Sequence, residues 1–138
     1  MITGVALVCV YVGDYDKAYD FYVNTLGFEV GMDAPMEGGG RWLVVHSPAQ
    51  PEVPIMLVVP EPPLMDAATA KQVHALLATG FLGPGALATD DCRATYEDLL
   101  AKGVEFIEEP SERFYGIDAA FRDPFGNHWR LTQTRRLS

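Results

Sequence analysis

An internal repeat is the feature that most restricts how this chain folds. Val12-Gly13-Asp14-Tyr15-Asp16-Lys17-Ala18 aligns with Ala88-Thr89-Asp90-Asp91-Cys92-Arg93-Ala94 at an offset of 76 positions. Without a gap, the same offset sets Gly27-Phe28-Glu29-Val30 over Gly103-Val104-Glu105-Phe106. Asp14/Asp90, Ala18/Ala94, Gly27/Gly103 and Glu29/Glu105 are identical, and Lys17/Arg93 keeps its charge. The matches fall on structural punctuation, so each copy reads as strand, Asp-capped helix, glycine terminator and strand. With 138 residues, the chain has room for one ordinary domain, made here from two like modules.

The pattern within each copy agrees. Val5-Ala6-Leu7-Val8-Cys9-Val10-Tyr11-Val12 is apolar and β-branched, which predicts a strand buried on both faces. Asp14 is placed to cap the following helix, whose apolar stripe is Ala18, Phe21, Tyr22 and Leu26; Gly27 ends it. Residues 41–46 and 53–59 are further strands, the second entered through Pro54. In the second copy, strands are expected at 85–89, 104–108, 114–121 and 128–133, with a helix near 91–102. Asp123-Pro124-Phe125-Gly126-Asn127 is dense in turn formers and reads as the hairpin joining the last two strands. Between the copies, Pro60-Glu61-Pro62-Pro63 breaks the strand pattern, and Asp66 caps a helix at 67–79 that turns Val73, Leu76 and Leu77 to one side and ends at Gly80. Module 1 then spans about 3–60, the linker and helix about 61–82, and module 2 about 83–133. Gly38-Gly39-Gly40 is expected to be a mobile loop, and 134–138 a frayed, weakly basic tail.

Charge narrows the partners. The net charge of −9 argues against nucleic acid or an anionic membrane, since both demand a basic face. Cys9 and Cys92 form neither a disulfide framework nor a clustered zinc site. The sequence shows no basic leader followed by a long apolar run, so a reducing cytoplasm is the expected compartment.

Taken with Val12-Gly13-Asp14, Phe21-Tyr22, Leu26-Gly27-Phe28, Lys102-Gly103-Val104, Tyr115-Gly116 and Asp123-Pro124-Phe125-Gly126-Asn127, the duplicated βαβββ unit resembles the vicinal oxygen chelate superfamily. This is the glyoxalase/bleomycin resistance/dioxygenase superfamily, and the resemblance covers residues 3–133. It implies an α+β, glyoxalase-like fold in which the curled mixed sheets of two modules surround a cavity, often in a homodimer. Its members include metal-dependent lyases, isomerases and dioxygenases, as well as metal-free proteins that sequester toxic drugs. The resemblance also implies where a metal would sit. The four ligand positions correspond to Leu7, about Met56, Pro84 or Gly85, and Arg130. None of these side chains suits a divalent cation, which takes several N or O donors, and the neighbours Ala6, Val8, Ile55, Leu57, Trp129 and Leu131 are no better. Neither a metal nor another cofactor is therefore expected.

Other chemistry is sparse. His74 and His46 read as surface or partly packed residues, whereas His128 lies two positions before Arg130 and so shares its face on a strand. Cys9, on the face of Leu7 and Tyr11, has no base or cation nearby in sequence and reads as a small core thiol; Cys92 has the acidic neighbours Asp90 and Asp91. Ser47 and Ser111 carry no nucleophile motif, and Gly38-Gly39-Gly40 is no phosphate loop. Tyr11, Trp42, Phe114, Tyr115, Phe121 and Trp129 all fall on expected strands, and Trp42 and Tyr115 are the favoured ligand-stacking residues. The candidate ligand-binding set is Leu7, Cys9, Tyr11, Trp42, Met56, Tyr115, His128 and Arg130. The expected function is metal-free binding of a small organic molecule in the sheet cavity, as in drug or toxin sequestration, by a homodimer. The alternative is a lyase, isomerase or dioxygenase-like enzyme of the same fold acting on a small organic substrate.

Overall fold

Each half of the chain builds its own four-stranded sheet. The computed structural model describes residues 1–134; the expected tail lies, from residue 135 on, outside the described residues. The first sheet contains β1 (Val8–Tyr11), β2 (Glu29–Pro35), β3 (Arg41–Ser47) and β4 (Gln50–Val58), in the order β1-β4-β3-β2. The second contains β5 (Gly85–Ala88), β6 (Glu105–Arg113), β7 (Gly116–Arg122) and β8 (His128–Thr134), in the order β5-β8-β7-β6. In each sheet the opening strand runs parallel to the last one and the other pairs are antiparallel, which is the duplicated βαβββ layout. The chain divides into compact units Met1–Leu76 and Leu77–Ser138, a boundary inside helix α2 (Ala67–Ala78). Among the described residues no helix is long and apolar enough to cross a membrane.

In the first unit, helix α1 (Tyr15–Tyr19) starts where Asp14 accepts the Lys17 backbone N–H at 2.8 Å. It continues as a π-helical segment over Asp20–Thr25, in which Leu26 N–H reaches back to the Phe21 carbonyl. Ala18, Phe21 and Tyr22 are buried with Val10, Leu43, Val45, Ile55 and Leu57, so the helix covers one face of the sheet. In the second unit, helix α3 (Cys92–Ala101) covers the face of Ala119, Phe121 and Leu131, with Tyr96 edge-on to Phe106 at 4.7 Å. Its cap is Asp91, which accepts from Ala94 N–H at 3.0 Å, rather than Asp90 as the ungapped repeat implies. From cap to cap the repeat spans 77 positions (Asp14 to Asp91), but from glycine to glycine it spans 76 (Gly27 to Gly103). The first module thus holds one residue more between cap and terminator, and a π-helical segment is how a helix takes up an extra residue. Gly27 and Gly103 both end their helices at positive φ, 84° and 88°.

Several boundaries differ from expectation. β1 covers only Val8–Tyr11 and is not buried on both faces, because it is an edge strand and α1 covers one side alone. β4 starts earlier than Pro54, and both Pro51 and Pro54 lie where the β3–β4 register shifts, a place that tolerates a missing N–H. β6 extends to Arg113 and β7 begins at Gly116, so Phe114 and Tyr115 form the turn between them rather than part of a strand. Asp66 does cap α2, accepting from Thr69 N–H, but Leu76 is exposed while Leu77 is buried. Gly38–Gly40 form a hydrogen-bonded hairpin turn, with Met36 N–H bound to the Gly40 carbonyl. The 123–127 hairpin is as expected: one oxygen of Asp123 accepts the N–H groups of Phe125, Gly126 and Asn127.

Candidate ligand-binding faces

With helices on one face of each sheet, the other faces are where exposed side chains gather. On the first sheet, alternation and register put Cys9, Met56 and Val44 in one row, with Tyr11 and Trp42 on the same face. Leu7 precedes β1 in the same alternation. Leu7, Cys9, Tyr11, Trp42 and Met32 are exposed, while Met56 and Val58 are buried. This face is apolar and aromatic, exposed at its flanking strands and buried at β4 between them. Cys9 is therefore not the core thiol expected, because the covering helix lies across the opposite face. Trp42 is 40% exposed, against 3% for Trp129, the other tryptophan.

The second sheet's helix-free face is polar. Asp118, 1% exposed, is its centre. One carboxylate oxygen accepts from Thr132 Oγ1 at 2.9 Å. The other accepts from Tyr115 Oη at 3.0 Å, from Arg130 Nε at 3.0 Å and from Arg130 Nη2. Arg130 Nη2 also donates to Glu108 at 2.9 Å, and Arg113 approaches the same carboxylate at 3.8 Å. Register explains the convergence: Asp118 pairs with Thr132, and Ala120 pairs with both Arg130 and Glu108, so these side chains share a face.

The network sets the ionisation states. Burial alone would push the Asp118 carboxyl up, but hydrogen bonds from Arg130, Thr132 and Tyr115 outweigh it and hold the group below its ordinary value. The bond from Arg130 likewise draws Glu108 down. Hydrogen bonding to Asp118 pushes the Tyr115 hydroxyl up, since a donor to an anion holds its proton more tightly. The Arg130 guanidinium becomes still harder to deprotonate, chiefly through Asp118.

The candidate residues therefore divide by unit. Leu7, Cys9, Tyr11, Trp42 and Met56 lie together on the first face, and Arg130 and Tyr115 meet at Asp118 on the second. His128 shares the face of Arg130, as its spacing predicts, and is half-buried opposite Arg122. His46 and His74 hydrogen-bond to the carbonyls of Ser47 and Pro60. Cys92 is buried, its thiol donates to the Leu131 carbonyl, and burial pushes it up, so it is a poor nucleophile. Sequence reasoning missed Asp118, Glu108 and Thr132. The available signal was one acidic residue inside the apolar run Ile117-Asp118-Ala119-Ala120-Phe121, because a buried carboxylate demands a partner.

The positions a metal would use do not fit one. Leu7 offers hydrocarbon and Met56 a buried thioether, Gly85 has no side chain and pairs with Trp129, and Arg130 is a cation already held by two carboxylates. Among the described residues, no three His, Cys, Asp or Glu side chains are grouped to hold a metal ion.

Comparison with known proteins agrees with the architecture. The family model described as Glyoxalase/Bleomycin resistance protein/Dioxygenase superfamily matches residues 4–131. The crystal structure of UcmS2 is 40% identical, with a TM-score of 0.92, covering 97% of this chain and 100% of that one. TnmS3, an antibiotic binding protein from Streptomyces sp. CB03234, is 34% identical with a TM-score of 0.77, covering 97% and 98%. An uncharacterized protein of Shewanella frigidimarina is 36% identical over 133 residues, 96% of this chain and 92% of its own. Repeat, paired four-stranded sheets and family match converge on one statement: the chain belongs to the glyoxalase/bleomycin resistance protein/dioxygenase superfamily.

Proposed function

We propose that this protein binds a flat, largely apolar organic molecule and sequesters it unchanged, without a metal. The observation that carries this reading is the helix-free face of the first sheet, where Leu7, Cys9, Tyr11 and Trp42 are exposed on either side of the buried Met56 and Val58. Such a surface removes apolar area from water when a flat molecule lies on it. The second unit offers polar contacts of its own at Tyr115, His128 and Arg130. Its carboxylate cluster is suited to holding a shape rather than moving protons: Asp118 already accepts four hydrogen bonds, and Tyr115 is made a weaker acid. The antibiotic binding protein TnmS3 supports the same reading at 34% identity. The net charge of −9 favours neutral or cationic ligands.

We propose further that the protein is a cytoplasmic homodimer, consistent with the exposed Leu64, Leu76 and Phe81. Sedimentation at micromolar concentration should then report about twice the chain mass.

A thermal-shift screen of a small-molecule library tests the function, because a ligand that binds only the native state raises its stability. Hits should quench Trp42 fluorescence with one-to-one stoichiometry and be recovered chemically unchanged. Conversion of a hit to product would overturn sequestration in favour of an enzyme of the same fold.

A further inference from the structure

The end of β3 that carries Trp42 has little support from the sheet itself. Gly38, Gly39 and Gly40 precede it at φ values of 83°, 112° and 95°, so the turn offers no side chain to brace the strand. Pro35, opposite Arg41, has no N–H to give to the ladder, and Ala34, opposite Trp42, presents only a methyl group. Among the described residues β3 pairs with β4 from Leu43 onward, so Arg41 and Trp42 pair with the edge strand β2 and not with the middle of the sheet. The Arg41 side chain supplies the missing hold. Nε and Nη2 donate to the two oxygens of Asp33 at 2.7 and 2.9 Å, and Nη1 donates at 2.9 Å to Asp16, in the first turn of α1. We propose that Arg41 is a positioning residue for ligand capture: its clasp on Asp33 and Asp16 fixes the end of the β2–β3 hairpin to α1 and so presets the Trp42 ring. The inference rests on the small-molecule reading above and adds how that site is held ready.

Alternation puts Arg41 on the helix side of the sheet and Trp42 on the helix-free side. The guanidinium can therefore fix the backbone between them without occupying the surface that a ligand would use. A planar fork that engages both oxygens of one carboxylate and a third oxygen on another element restrains rotation as well as distance, which a single exposed ion pair does not. The bond from Arg41 also draws the Asp33 carboxyl below its ordinary value, so the clasp stays charged at neutral pH. A ring held in place before the ligand arrives loses less rotamer entropy on binding, and the difference appears as affinity.

The test is a double-mutant cycle read by titration calorimetry with 9-fluorenone, a flat and neutral probe. Arg41→Met keeps an aliphatic stem and removes the clasp. It should weaken 9-fluorenone binding about 5-fold in the wild-type background and leave it unchanged in the Trp42→Ala background. In the ligand-free protein, the anisotropy decay of Trp42 fluorescence, isolated by subtracting the Trp42→Ala signal, should quicken in Arg41→Met. Equal losses of affinity in both backgrounds, or an unchanged decay, overturn the proposal, because an Arg41 that served stability alone would act whether or not the ring is present. Asp16→Ala removes the link to α1 at a side chain that is 93% exposed, and should quicken the decay in the same direction. If Arg41→Met fails to fold, an unchanged decay in Asp16→Ala overturns the proposal. Failure of 9-fluorenone to bind the wild type counts against the sequestration reading, while the anisotropy still decides the role of Arg41.

Discussion

The helix-free face of the first sheet carries Leu7, Cys9, Tyr11 and Trp42, whereas the second is organised around Asp118, Glu108, Arg130 and Tyr115. Strand order, the parallel opening pair, the Asp caps and the positive-φ glycines are common to both modules. What the difference teaches is that the layout depends on caps, turns and the helix-covered face, leaving the other face free to take on different chemistry. In the first module that face carries apolar and aromatic side chains. In the second it is tied together by ion pairs and hydrogen bonds.

The sharpest way to break this contrast is to remove the centre of the polar face. Asp118→Ala strips Arg130 of its buried partner and leaves Thr132 and Tyr115 without their acceptor, which should cost about 3–5 kcal/mol by urea unfolding. A loss below about 1 kcal/mol would mean that the network is no more than surface decoration. Next in size, Trp42→Ala on the apolar face should weaken a screened ligand by about 30-fold, with little change in melting temperature. A large fall in stability with intact affinity would make Trp42 structural and reverse the assignment of the two faces. The caps should show the modules behaving alike: Asp14→Ala and Asp91→Ala should each cost about 1 kcal/mol, and a gap of several-fold between them would show that one helix relies on its cap far more than the other.

The smallest effect concerns acid. Asp118 titrates lower in the folded chain than in the unfolded one, so between the two values the unfolded state binds more protons. Its contribution is therefore full above the ordinary carboxylate value, near pH 4, and is lost as pH falls through the folded value. On acidification from about pH 5 to about pH 3, the wild type should lose more melting temperature than Asp118→Asn. Equal losses would show that this carboxylate is not preferentially ionised by folding.

What the sequence revealed was local. Asp14, Gly27, Asp66, Gly103 and Asp123–Asn127 act through neighbours a few residues away, and their roles follow from residue type and spacing. Arg130 was legible as a cation needing an acceptor, but its partners are 12 and 22 positions away and reach it only through register. That register shifts between Phe106 and Glu108 and again between Glu108 and Ser111, and such irregularities leave no clear mark in the sequence. The exposure of Cys9 was hidden for a related reason: an apolar edge strand reads like a central one until the covering helix is known to lie on one side alone.

The π-helical segment at Asp20–Thr25 gives the first module an adjustable length. Its wide turn is a slack loop in an otherwise taut spring, absorbing one residue while Gly27 still delivers the chain into β2. Taking out a single residue there would tighten the spring to ordinary α pitch and give this module the cap-to-glycine length its partner already has. The two supporting helices thus differ by one residue between cap and glycine while the strands that present Trp42 and Arg130 keep the same order.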